Sequence, residues 1–262
     1  MKLKTLAGKF FPDSLLISLG SNNNGRRFGF EGELNVKQDI VSKYGFDGEL
    51  LDLFVENRGP AVHKWHHYIP IYDRYFSKFR GKKVRFLEIG VSDGGSLQMW
   101  RKYFGEDAVI FGVDIDPRCG NVNGISGQVR IGSQDDPKFL EAVVEEMGGV
   151  DAILDDGSHR MNHIRSSLEI LFPKLADGGI YMIEDLHTAY WRRFGGGYRS
   201  KANFFNFVSD LVEDMHHWYH MHKIKHPAIS DSCSSIHIHD SIVILEKAKN
   251  YKPTHSVIGV QG

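Results

Sequence analysis

From Lys83 onward, short apolar runs alternate with segments of helical period, and this alternation constrains the fold more than any other feature of the chain. VRFLEIGV, AVIFGVDID, GQVRIGS, VDAILDD and GGIYMIED are rich in branched aliphatic residues and too short for ordinary helices. Buried parallel strands read this way. SLQMWRKYF, DPKFLEAVVEEM and NHIRSSLEILFPKL lie between them and space their apolar residues as helices do. The second of these opens on Asp-Pro, a helix-start signature. A long helical stretch follows over ANFFNFVSDLVEDMHHWYHM, and then SIHIHDSIVILEK, two alternating runs joined at Asp240-Ser241. That last pattern is an antiparallel hairpin. Together these segments predict an α/β fold: a doubly wound, mainly parallel, seven-stranded Rossmann-like sheet with a C-terminal antiparallel hairpin.

The chain divides by pattern into an extension over 1–58, a main domain over 59–250 and a tail over 251–262. In the extension, LLISL, GSNNNG and RRFGFEGEL read as strand, turn and strand. DGELLDLFVENR reads as a short helix opened by an aspartate cap and broken by Gly59 and Pro60. HHYIPIYDRYFSKF has near-helical spacing interrupted by Pro70. The 262 residues allow one sizeable core with such an extension. Lys+Arg is 32 and Asp+Glu 33, a net charge of −1. No basic excess therefore calls for nucleic acid. Cys119 and Cys233 offer neither a disulfide framework nor a thiolate zinc site, so a reducing cytoplasm is expected. Lys9 and Asp13 interrupt the apolar start, which argues against a secretory signal. No apolar run approaches the roughly 20 residues of a membrane span.

Three acids follow two of the strands: Asp156 in LDDGSH, and Glu184 and Asp185 in YMIEDLHTAYW. Ligands of open α/β sheets bind at the C-terminal strand ends, so neighbouring strands bring these carboxylates to one crevice. Clustered carboxylates repel one another and favour a hard divalent ion such as Mg²⁺. A single acid after a strand is ordinarily a helix cap; three on adjacent strand ends favour the metal. The loop EIGVSDGGS supplies Gly90, Gly94 and Gly95 between the first strand and its helix. Ser92 stands where a dinucleotide fingerprint needs glycine, which weighs against a nicotinamide dehydrogenase. Glu88 precedes Gly90 by two, and Asp114 ends the second strand, placed for ribose hydroxyls. The loop has no anion-binding lysine, as suits an adenosyl ligand without phosphates.

FLEIGVSDGGS, GVDID, GSQDDPKF, LDDGSH and IEDLHTAYW together resemble the macrocin/mycinamicin-type sugar O-methyltransferases over about residues 60–247. Those are class I S-adenosylmethionine-dependent enzymes that use Mg²⁺. The resemblance makes 59–250 a methyltransferase domain. It implies that Asp156, Glu184 and Asp185 hold the metal and that His159 is the general base. It also implies that Glu88, Gly90, Ser92, Asp114 and Gln134 contact the adenosyl cofactor, with Asp155 near its amino-acid end. Lys64 and Tyr68 are expected to close over that cofactor. The acceptor would be a sugar hydroxyl of a glycoside, glycolipid or polysaccharide precursor, and the enzyme a homo-oligomer. Cephalosporin-hydroxylase-type proteins also look related. The alternatives are methylation of a non-sugar diol and a non-catalytic adenosyl-binding module.

Tyr190 and Trp191 are placed to stack on a sugar ring, or else form a partly buried aromatic pair. The glycines at 195–197 suggest a lid over the acceptor. His216 and His220 have the spacing of one helix face. Without further ligands they read as a solvated face rather than a zinc site. His237 and His239 share one face of a strand, where exposure or an oligomer contact is expected. Phe204, Phe205 and Phe207 read as helix core or subunit contact.

Overall fold

The apolar runs after Lys83 form the strands of one sheet in the computed structural model, which describes residues 32–259. Five strands run parallel: β1 Arg85–Ile89, β2 Val109–Asp114, β3 Gln128–Ile131, β4 Val150–Asp155 and β5 Leu175–Ile183. The hairpin β6 Cys233–His239 and β7 Ile242–Lys247 completes the order β3-β2-β1-β4-β5-β7-β6. Strand β7 is antiparallel to both β5 and β6. The chain order reverses between β1 and β4, where a doubly wound sheet opens its ligand crevice.

Register sets the line of that crevice. Ile89 lies level with Val113 and with Asp155, and Asp155 with Ile183. The next residues, Gly90, Asp114, Asp156 and Glu184, therefore leave the sheet along a single rim.

Strand alternation sends side chains to two apolar layers. One layer joins Leu87, Phe111, Ile153, Tyr181 and Val243 to helices α5 Pro137–Met147, α6 Met161–Leu171 and α7 Phe204–Met215. The other joins Phe86, Ile110, Leu154, Met182 and Ile244 to α1 Val36–Tyr44, α2 Glu49–Val55, α3 Tyr68–Phe76 and α4 Gly95–Phe104. Ile40, Leu50 and Leu51 are fully buried in this second layer, so the described part of the N-terminal extension packs onto the sheet. A short helix α8, Pro227–Ser232, leads into β6.

Three local expectations are corrected. Helix α2 is capped by the backbone of Gly48, without a side-chain bond, and Asp47 instead pairs with Lys37 at 3.2 Å. Pro70 does not interrupt α3; it sits in the first turn, where a missing N–H costs no hydrogen bond. Helix α7 ends at Met215 rather than running to 221. His216 leaves helical geometry and bonds the Val212 carbonyl through Nδ1 at 2.7 Å, so His216 and His220 do not share a helix face. The hairpin read from LLISL to RRFGFEGEL lies outside the described residues except for its last three positions. Among the described residues no helix is long and apolar enough to cross a membrane.

Candidate active site

Asp156, Glu184 and Asp185 leave adjacent strand ends, and two of them, Asp156 and Asp185, converge on His159. His159 and Asp185 are both held at positive φ, 55° and 59°, a backbone state that non-glycine residues adopt at a cost of about 1–3 kcal/mol and that concentrates at functional sites. The His159 side chain is almost fully buried, and its Nε2 lies 3.7 Å from Asp156 Oδ1 and 3.7 Å from Asp185 Oδ2. That nitrogen has no hydrogen-bond partner. One ligand atom from each of Asp156, His159 and Asp185 falls within 4.8 Å of the others. A buried orphan nitrogen facing two carboxylate oxygens is a donor set that fits a small divalent cation.

Glu184 is arranged differently. The Lys64 ammonium donates to Glu184 Oε1 at 2.6 Å and to Asp156 Oδ2 at 2.5 Å, and the Tyr72 hydroxyl donates to Glu184 Oε2. Tyr68 donates to Asp185 Oδ1 at 2.8 Å. Burial pushes the Glu184 carboxyl well above the usual range; the nearby Asp156 charge adds to this and Lys64 opposes it. Burial also raises Asp156, to about 6, against the pull of Lys64. Burial acts upward on Asp185 too, but His159 and His187 outweigh it and hold that carboxyl low. Lys64 is driven the other way: burial disfavours its charge, yet Asp156, Glu184 and Glu88 keep it protonated.

The glycine loop forms the adjoining wall. Gly90 has φ +96°, and a Cβ there would come within 2.1 Å of the Asp156 carbonyl oxygen. Only glycine allows the two strand ends to approach so closely. Asp114 Oδ2 accepts the N–H groups of Val91 and Ser92 at 2.9 and 3.2 Å, and Oδ1 accepts that of Asp116 at 2.9 Å. It fixes the loop while remaining partly exposed. Glu88 is fully buried and accepts from Ser96 Oγ at 2.9 Å and Trp100 Nε1 at 3.3 Å. Burial pushes its carboxyl up to about 7, with Lys64 and Ser96 acting against it.

Not every expected residue opens onto this crevice. Asp155 is turned into the core, where Ser167 Oγ reaches it at 2.5 Å and Gln134 Nε2 at 3.2 Å. Gln134 also accepts the Ser158 N–H at 2.7 Å, tying the β3 loop to the DDGSH loop. Lys64 and Tyr68 have their polar ends on the acids. Tyr190 is about half exposed and faces the Phe205 ring at 6.0 Å, whereas Trp191 packs edge-on against His187 at 4.9 Å. The two rings thus have separate partners. The glycines after them make a pinned turn, with Gly197 N–H and the Asn203 amide both donating to the Ala189 carbonyl. His237 and His239 share a face as read, and both rings pack on Tyr75.

Sequence reasoning missed Tyr72 and His187. Tyr72 follows Tyr68 by four, a helical spacing that puts both on one face of α3, with Lys64 in the chain just before that helix. His187 stands beside the acid pair; its Nδ1 is 2.8 Å from Ser241 Oγ in the β6–β7 turn.

Residues 87–186 match the family model described as a methyltransferase domain. The chain is 36% identical over 202 residues to the 8-demethyl-8-(2-methoxy-alpha-L-rhamnosyl)-tetracenomycin-C 3'-O-methyltransferase of Streptomyces olivaceus, covering 72% of this chain and 51% of that protein. It is 35% identical to the demethylmacrocin O-methyltransferase of Streptomyces fradiae, covering 71% and 51%. Its identity to the mycinamicin VI 2''-O-methyltransferase of Micromonospora griseorubida is 33%, covering 71% and 49%. The chain thus spans about half the length of the curated relatives it matches. Among solved structures, the MycE methyltransferase from the mycinamycin biosynthetic pathway in complex with Mg and SAH superposes with a TM-score of 0.70 at 30% identity, covering 78% of this chain and 56% of that one. The strand order, the rim of acids and these similarities agree: over the length it shares with them, this chain is a homologue of the macrocin/mycinamicin-type sugar O-methyltransferases.

Proposed function

We propose that the protein transfers a methyl group from S-adenosylmethionine to a sugar hydroxyl, with Mg²⁺, on a glycoside, glycolipid or polysaccharide precursor. The observation that carries this reading is the orphaned His159 Nε2, buried between Asp156 Oδ1 and Asp185 Oδ2. It supplies a proton acceptor and two anionic oxygens at one point of the sheet rim. The named relatives and the Mg- and SAH-bound MycE structure support the same cofactors.

Bound there, S-adenosylmethionine supplies a methyl on a sulfonium leaving group, and Mg²⁺ lowers the pKa of a hydroxyl as a Lewis acid. Asp156 and Asp185, with Glu184, hold the ion. His159 takes the proton of the acceptor hydroxyl at Nε2, a task suited to an imidazole whose ring nitrogen has no other hydrogen-bond partner. Gly90 and Ser92 shape the loop under the adenosyl group, Asp114 faces its ribose, and Glu88 buttresses the loop from below. Gln134 contacts the cofactor, and Asp155 acts through it. Lys64 and Tyr68 hold the acids beside the donor. Trp191 and Tyr190 border the sugar. The remaining parts of the proposal are a cytoplasmic location, a homo-oligomer and no nucleic-acid partner; the net charge of −1 supports the last.

The test is transfer of labelled methyl to a panel of deoxysugar glycosides, glycolipids and small diols, with Mg²⁺ or with chelator. We expect labelled sugar that disappears in chelator. The variant His159→Ala should turn over about 10²–10⁴ times more slowly. Labelling that is indifferent to chelator, or confined to non-sugar diols, would overturn the metal or the acceptor assignment respectively.

A further inference from the structure

Three acids and one lysine share the rim, so the cluster carries three negative charges and one positive when all are ionised. A divalent ion added to that set makes it neutral. The lysine is not at the edge: its side chain is 2% exposed, and its ammonium lies within 2.6 Å of oxygens from both Asp156 and Glu184. Tyr72 holds the other Glu184 oxygen, so both oxygens of Glu184 are engaged. Lys64 also takes only Oδ2 of Asp156, leaving Oδ1 turned toward His159.

We infer that Lys64 is a positioning residue that acts as a resident cation. It holds Asp156 and Glu184 together before the divalent ion arrives, and it competes with that ion for Glu184. The oxygens left open to an ion would be Asp156 Oδ1 and Asp185 Oδ2, on either side of His159, and Glu184 would become available only as the ammonium lets go. The lysine thereby keeps the affinity moderate and the ion exchangeable. This deepens the proposed function and rests on its reading of the rim as a divalent-ion site.

The experiment measures Mg²⁺ and Mn²⁺ binding by calorimetry, and Mn²⁺ by electron paramagnetic resonance, in the wild type, Lys64→Met and Lys64→Arg. Thermal melting is followed with each ion and with chelator. Removing a unit charge a few ångströms from the ion should tighten binding at least about tenfold in Lys64→Met. The melting temperature in chelator should fall below wild type, while the metal-saturated values converge. Lys64→Arg keeps the charge and should bind as the wild type does. Unchanged or weaker binding in folded Lys64→Met would overturn the inference. So would failure of that variant to fold with saturating Mg²⁺, because a stand-in cation is dispensable once the ion is present. A wild type that binds neither ion sinks the metal reading itself, a result distinct from one that sinks only the role of the lysine.

Discussion

Gly90 shows how much of the site rests on a single missing side chain. At φ +96°, with the Asp156 carbonyl 2.1 Å from where a Cβ would lie, Gly90→Ala must push the β1 and β4 ends apart. We expect a loss of about 1–3 kcal/mol in stability, read by denaturant melts, together with weaker binding of S-adenosylhomocysteine by calorimetry. Arg85 and Asp151 offer a pH test away from the site. Burial raises the Asp151 carboxyl, but hydrogen bonds from the Arg85 side chain and backbone outweigh it and hold it below its ordinary value. Its contribution is therefore full above the unfolded carboxyl pKa, near 3.9, and is lost as pH falls through the lower folded value. Asp151→Asn should cost about 1 kcal/mol at neutral pH, and its melting curve should approach the wild type in acid. At this scale the acids were legible because each follows an apolar strand run. Tyr72 was not, and Lys64 was read only as closing over the cofactor, because both reach Glu184 across more than a hundred residues of chain, a distance no local pattern carries.

Secondary-structure elements were read best where a start signal met a periodic run. Helix α5 begins at Pro137 behind Asp136, whose carboxylate accepts from the N–H groups of Lys138 and Phe139. Asp136→Ala should destabilise the domain by about 1 kcal/mol, measured by thermal or chemical melting. Helix α7 was read too long because its apolar period continues past its true end. The stop is tertiary: buried Asp214 accepts the N–H of Lys225 at 3.0 Å and that of His226 at 2.7 Å, folding the chain back on the helix. Asp214→Ala would leave those donors unpaired, costing about 1–3 kcal/mol, and should open the 216–226 connection to limited proteolysis. The strands fared better than the loops because alternation and composition are properties of the run itself. The packed turn at 195–197 depends on Ala189, which its glycines do not announce.

At the scale of the whole molecule, site and stability are linked. Three acids facing one lysine leave the ionised rim net negative even with Lys64 in place, so binding of a divalent ion should stabilise the fold by mass action. With free Mg²⁺ at a hundred times its Kd the gain is about 2.7 kcal/mol. Calorimetric melting with Mg²⁺ and with chelator checks this, and an unshifted transition would mean that the folded rim does not bind the ion. The doubly wound order was legible because β/α alternation admits few topologies. The tie between the rim and the hairpin was not, since Ser241 meets Leu186 and His187 only in the folded chain. That tie has a consequence for biogenesis. β5 receives its outer neighbour from a strand translated some sixty residues later. A nascent chain halted before Ser241 would therefore present a bare sheet border beside an unsupported His187, and quality-control proteases should recognise it as unfinished however complete the parallel half already is.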